Sequence, residues 1–212
     1  MKYKLYNLLP SFGTNTYLLW DEESLEAMLI DAAAPCAELV GEIKTENLKL
    51  KYLVNTHGHG DHIGGNGFIK RNFEVPLCIH KEDASMLKEP QLNLSEYFEI
   101  NVMSPYADIE FKGEEILTLG NKKIKIIHTP GHTRGGISII ADNLLFCGDT
   151  LFAAGVGRTD LPGGDYNILM KSIHEILFIL PDETIVLPGH GPSTTIGNEE
   201  RNNPFVGLKA QY

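Results

Sequence analysis

Apolar positions along this chain fall into short alternating or continuous blocks, and turn-forming residues separate them. Residues 3–9 and 15–20 predict two strands around Pro10-Ser11-Phe12-Gly13, and residues 27–31 a third. The period changes over residues 35–45, where Leu39, Val40 and Ile43 fall three to four apart and predict a helix with one apolar stripe. Residues 51–55 read as a strand, 63–72 as a helix weakened by Gly64, Gly65 and Gly67, and 77–80 as another strand. Residues 84–113 show no period and contain Pro90, Asn93, Asn101 and Pro105, so a long loop or lid is expected there. Hairpins are expected around Gly120-Asn121 and Asp142-Asn143. Asp165 can cap a helix over residues 166–180, and residues 184–187 form the last strand. The simplest assembly is one domain over residues 1–212, with two central sheets packed together and helices outside.

Composition narrows the function. With 212 residues, 42% apolar and 22% charged, the chain is an ordinary globule that can build a core without disulfides. Eighteen basic residues against 28 acidic ones leave a net charge of −10, which argues against a nucleic-acid binder. The longest apolar run, residues 176–180, is far short of the roughly 20 residues that span a bilayer, so no membrane partner is expected. No signal peptide is visible, and the expected location is the cytoplasm. Cys36, Cys78 and Cys147 are too few and too scattered for a disulfide framework, and Cys147 is expected to be a core residue.

The strongest chemical signal is Thr56-His57-Gly58-His59-Gly60-Asp61-His62. Borderline-soft divalent metals accept imidazole nitrogen and carboxylate oxygen together, and the intervening glycines permit the close turns that so dense a ligand run needs. His132, Asp149 and His190 each follow a predicted strand end in the same way. Taken singly, His132 or His190 could be a hydrogen-bonded loop residue; taken together, five histidines and two aspartates exceed one tetrahedral site and suit two metals sharing a carboxylate. His128 is expected to be packed or hydrogen-bonded, and His80 and His174 have no ligand partners nearby in sequence. The stretch Glu199-Glu200-Arg201-Asn202-Asn203-Pro204 reads as a solvated terminal helix and stop.

The pattern His-x-His-x-Asp-His followed by a distal His, Asp and His resembles the metallo-β-lactamase superfamily. The likeness runs from Phe12-Gly13-Thr14-Asn15-Thr16-Tyr17 to Leu187-Pro188-Gly189-His190-Gly191. Within it, Gly148-Asp149-Thr150-Leu151-Phe152 and Gly157-Arg158-Thr159-Asp160-Leu161-Pro162-Gly163-Gly164-Asp165 are similar to the short bacterial glyoxalase II (hydroxyacylglutathione hydrolase) group, which lacks a C-terminal helical domain. The resemblance implies an αββα sandwich, in the α/β class, with two mixed sheets flanked by helices. It implies that His57, His59 and His132 hold one divalent metal, that Asp61, His62 and His190 hold a second, and that Asp149 bridges them. Zinc is the first expectation, with iron or manganese as alternatives.

The implied activity is hydrolysis of a small 2-hydroxyacyl thioester such as lactoylglutathione by a metal-activated hydroxide, with Asp61 both ligating and orienting the nucleophile. Asp31 resembles a buried aspartate that orients the His-rich loop, and reads equally as a strand-end turn cap. Arg158 stands where related enzymes contact glutathione; its alternative is an ion pair with Asp160 or Asp165. Two other activities remain open: a glutathione persulfide dioxygenase using one iron on His57, His132 and Asp149, and a binuclear hydrolase of another ester, lactone or phosphoester. Monomer and homodimer are both open.

Overall fold

Along β2 (Thr14–Trp20), Tyr17 and Leu19 face one core while Leu18 faces another, and all three are buried. The same division holds in β3 (Glu26–Ile30), where Met28 and Ile30 oppose Leu29. Strands buried on both faces carry nearly continuous apolar runs, which is why these segments show blocks in place of clean alternation. The computed structural model describes residues 1–99, 101–208 and 210.

The first sheet holds β1 (Lys2–Leu9), β2, β3, β4 (Lys49–Val54), β5 (Leu77–His80) and β6 (Ile109–Phe111), in that spatial order. β1 to β3 pair antiparallel, and β3 to β6 pair parallel. The second sheet begins with the meander β7 (Glu115–Leu119), β8 (Lys122–His128), β9 (Ile137–Ala141) and β10 (Leu144–Gly148). A small ribbon of β11 (Leu151–Phe152) and β12 (Gly155–Val156) follows; β13 (Ile185–Pro188) then pairs parallel with β10, and β14 (Thr194–Thr195) forms the edge.

Between the sheets, Met28, Val54 and Phe111 from one side meet Ile126, Ile139 and Phe146 from the other. Outside the first sheet, α1 (Ala37–Thr45) lays Leu39, Val40 and Ile43 over Leu29 and Leu53, joined by Ile69 of α3 (Asn66–Asn72). Outside the second, Leu169 of α4 (Tyr166–Lys171) packs with Leu145, Cys147 and Val186, together with Ile196 of α5 (Ile196–Asn202). This is the αββα sandwich expected from the layer pattern. Cys147 is indeed a core residue, with its thiol donating to the Leu151 carbonyl at 3.1 Å and pushed by burial to a pKa of about 12.

Four local expectations need correction. The helix over 63–72 is two pieces, α2 (Gly60–Ile63) and α3, because the chain between them presses against residues 32–34. A Cβ on Gly65 would sit 2.6 Å from the Ala34 carbonyl oxygen, so only glycine allows the Gly65 amide to reach the Ala32 carbonyl at 2.7 Å. The long loop over 84–113 contains β6, which forms because Cys78 and Ile79 offer a free parallel edge to Ile109 and Glu110. The helix over 166–180 changes at Ser172 into a wider π-helical turn through Leu177. Glu199, expected on a solvated helix, is fully buried; its carboxylate accepts from Ala154 N at 2.9 Å, Thr194 Oγ1 at 2.6 Å and Asn203 Nδ2 at 2.8 Å.

Candidate metal centre

The strand directions decide where the polar residues meet. β3 and β4 are parallel, β10 and β13 are parallel, and two antiparallel steps make β8 run in the direction of β10. Asp31 follows β3, the His-rich loop follows β4, His132 follows β8, Asp149 follows β10 and His190 follows β13. Side chains distant in sequence thereby collect at the carboxyl ends of strands, the usual place for a site in an open sheet.

The outward nitrogens of four of the five histidines are already committed, and His59 Nε2 is buried without a partner. Thr56 donates its hydroxyl to Asp31 Oδ2 at 2.6 Å, so at 3.2 Å from His57 Nδ1 it serves as acceptor. His62 Nδ1 donates to Asp31 Oδ2 at 2.9 Å, His132 Nδ1 to the Arg158 carbonyl at 2.8 Å, and His190 Nδ1 to the Phe12 carbonyl at 3.1 Å. These partners assign the tautomers, leaving four Nε2 lone pairs for the interior of the site. His62 Nε2 lies 3.3 Å from His190 Nε2, and His132 Nε2 lies 3.0 Å from His59 Nδ1. Two lone pairs at such a distance repel unless a cation or a proton stands between them.

Asp149 reaches toward both pairs. Its Oδ1 is 3.6 Å from His62 Nε2, and its Oδ2 is 3.6 Å from His132 Nε2 and 3.4 Å from His190 Nε2. Asp61 Oδ2 is 3.3 Å from His190 Nε2 and accepts from Thr14 Oγ1 at 2.8 Å. Donor atoms of His57, His59 and His132, of His57, His62 and Asp149, and of Asp61, His62 and His190 lie within 4.8 Å of one another in each group. His57 Nε2 and Asp149 Oδ1 are buried and lack any hydrogen-bond partner, which otherwise carries a desolvation cost. Orphaned buried donors of this type fit metal ions, and the nitrogen–oxygen set suits several first-row divalent metals.

The electrostatics point the same way. Burial opposes charge on His62, yet Asp61, Asp31 and Asp149 together raise its pKa to about 9. His190, also opposed by burial, is raised by Asp149 and Asp61 to about 10. Burial and then His132 push His59 down to about 3. Asp149 is lowered to about 2 because the neighbouring histidines outweigh its burial. The Asp61–His62–His190 corner therefore attracts positive charge, while His59 is held as a neutral imidazole.

Sequence reasoning anticipated Asp31 in one of its two readings: Asp31 Oδ1 accepts the Thr56 amide at 2.7 Å, so it orients the loop. It missed Asp83, which is 1% exposed and accepts from Gly58 N at 3.1 Å, Thr133 Oγ1 at 2.7 Å and Gly135 N at 2.7 Å. One carboxylate thus fastens the loop of His57 and His59 to the loop of His132. Asp83 lies three residues past the end of β5, and that strand-end position was the available signal. His128 donates from Nε2 to the Arg134 carbonyl at 2.8 Å and stacks on His80 at 4.1 Å between ring centroids, and neither belongs to the donor groups. Gly189 must be glycine, since a Cβ there would lie 2.2 Å from Asp149 Oδ1.

The donors open into a cavity of about 670 Å³. Arg158 lies on its wall with its guanidinium in a two-pronged ion pair to Asp160, both contacts at 2.8 Å and both side chains exposed. Of the two alternatives for Arg158, the ion pair with Asp160 is therefore formed. Among the described residues, no helix is long and apolar enough to cross a membrane.

This chain belongs to the metallo-beta-lactamase superfamily, whose family model matches residues 9–190. Fold and donor set together define a metal-dependent hydrolase of that class with a site for two ions. The chain is 39% identical over 206 residues to the "Hydroxyacylglutathione hydrolase GloC" of Haemophilus influenzae, covering 95% of this chain and 97% of that protein. Among solved structures, the BLEG-1 B3 metallo-beta-lactamase superposes with a TM-score of 0.91 at 37% identity, over 97% of this chain and 99% of that one. A di-iron-bound form of TTHA1623 superposes with a TM-score of 0.80 at 32% identity, over 91% and 94%.

Proposed function

We propose that this protein hydrolyses a 2-hydroxyacyl thioester, with His57, His59 and His132 holding one divalent metal, Asp61, His62 and His190 a second, and Asp149 shared between them. The observation that carries this reading is Asp149 facing both imidazole pairs at the floor of an open cavity. The likeness to a hydroxyacylglutathione hydrolase over nearly the whole of both chains supports the thioester. Zinc is the first candidate metal, and iron is supported by the di-iron form of TTHA1623.

Bound divalent ions would supply Lewis acidity, bringing water near ionisation at neutral pH and polarising the thioester carbonyl. The protein's own groups set the geometry. Asp61, fixed by Thr14, lines the cavity and orients the attacking water, whose proton passes to solvent. The water oxygen joins the carbonyl carbon, the carbon–sulfur bond breaks, and the sulfur leaves carrying the electron pair to be protonated by solvent. A thiolate is a good leaving group, so no buried general acid is needed.

The test is thiol release from lactoylglutathione by protein carrying a measured metal load. Turnover that chelation abolishes and metal restores is expected. No turnover of this thioester or of an uncharged lactoyl thioester, with both ions bound, would overturn the thioester reading. A single bound iron with oxygen uptake on glutathione persulfide would put a dioxygenase in its place.

A further inference from the structure

The cavity beside the metal donors is unlike a site for an anionic thiol. Its apolar lining includes Phe12, Pro35, Leu94, Tyr97, Val102 and Leu161. Arg158 is the only lysine or arginine among the described residues that line it. That guanidinium faces Asp160 through Nε and Nη2, and the Asp160 carboxylate is held below its ordinary range first by these hydrogen bonds. Glutathione brings two carboxylates and one ammonium, and the one guanidinium on the wall would have to be shared with Asp160 to receive either carboxylate.

We propose that the cavity selects neutral thioesters with an apolar thiol-side group, which packs against Phe12, Leu94, Val102 and Leu161 while the acyl carbonyl faces the donor set. This rests on the thioester-hydrolase reading and narrows its substrate class. Apolar walls with a few convergent polar groups are the usual make-up of a site for a small organic molecule, and the volume lies within the usual range. Hydrolysis remains balanced: one water is consumed, the carbon–sulfur bond is exchanged for a carbon–oxygen bond, and a carboxylic acid and a neutral thiol are released.

The experiment compares the lactoyl thioesters of benzyl thiol and of glutathione, two thiols of similar basicity, on the same metal-loaded protein. Burial of the aromatic group should give the benzyl thioester a kcat/KM about tenfold higher or more. Val102→Thr, nearly the same shape but with a hydroxyl in the wall, should lower kcat/KM for the benzyl thioester more than for the glutathione thioester and so erode that advantage. Asp160→Asn, which releases Arg158, should raise kcat/KM for the glutathione thioester alone. Equal use of both substrates, or a preference for glutathione, overturns the proposal.

Binding is measured in parallel with two unreactive thioethers, benzyl 2-hydroxypropyl sulfide and S-(2-hydroxypropyl)glutathione, by calorimetry on metal-loaded protein. Tighter binding of the benzyl compound, weakened by Val102→Thr, supports the apolar site even if neither thioester turns over; in that case the hydrolase reading alone fails. Equal or reversed affinities reject the apolar site whatever the turnover.

Discussion

Asp31 and His62, 31 residues apart, are joined by a buried 2.9 Å contact from His62 Nδ1 to Asp31 Oδ2. Asp31 sits at the end of β3 with a positive φ of 52°, which turns the chain so that its carboxylate faces the next strand's loop. The same carboxylate takes the Thr56 amide and hydroxyl, so it sets both the start of the His-rich loop and the ring of its last histidine. Asn tolerates this backbone conformation, so Asp31→Asn should fold. It removes the negative charge that orients His62, and metal affinity at the Asp61–His62–His190 corner should fall about 10- to 100-fold. Competition with a chromogenic chelator measures this; an unchanged affinity would show that His62 needs no anchor.

Asp83→Ala tests the tie between the two ligand loops. It strands the Gly58 and Gly135 amides and the Thr133 hydroxyl in the interior, at about 1–3 kcal/mol for each group left unsatisfied. Affinity of the His57–His59–His132 group should drop with it, while Asp83→Asn, which keeps an acceptor oxygen, should recover part of the loss. Equal metal affinity in wild type and Asp83→Ala would remove Asp83 from the metal centre.

The metal-free protein should lose stability as pH rises. His62 and His190 have folded pKa values of about 9 and 10, above the ordinary histidine value near 6.5. Their protonation favours the native state fully below about 6.5, and that contribution disappears as pH climbs through 9 to 10. Melting of the apoprotein between pH 6 and 10 should show the fall, and the metal-loaded protein should not, because metal replaces the protons. Metal binding at pH 7 should release protons, counted by calorimetry in buffers of different ionisation enthalpy. A flat apoprotein profile would contradict the charge assignment at this corner.

Gly189→Ala should leave the strand core intact yet disturb Asp149 and His62, since the new methyl would lie 2.2 Å from Asp149 Oδ1 and 2.8 Å from His62 Cε1. The expected outcome is a folded protein with less than its full metal load. Metal analysis beside a circular dichroism spectrum distinguishes this from a general loss of fold.

The grouping of candidate donors was legible because each has a distinctive side chain and follows a strand whose apolar block is plain in the sequence. Sandwich layering was legible for the same reason: Tyr17, Leu18 and Leu19 can all be apolar only if both faces are covered. β6 was hidden because three residues, Ile109–Phe111, carry no usable period, and their strand depends on the edge of β5. The break between α2 and α3 depends on contact with residues 32–34, which no local pattern reports. Asp83 and Glu199 look like surface acids in sequence; only the loops closing over them make them buried acceptors. The Arg158–Asp160 pair was one of two open readings, and its bearing on substrate charge emerged from the cavity walls around it.

The shared carboxylate is the centre of the metal assignment, and anomalous diffraction from metal-loaded crystals tests it most directly. Two peaks about 3.5–4 Å apart, with Asp149 touching both and with both depleted in Asp149→Ala, are expected. A single peak in fully loaded crystals, or a second ion bound without Asp149, would contradict it.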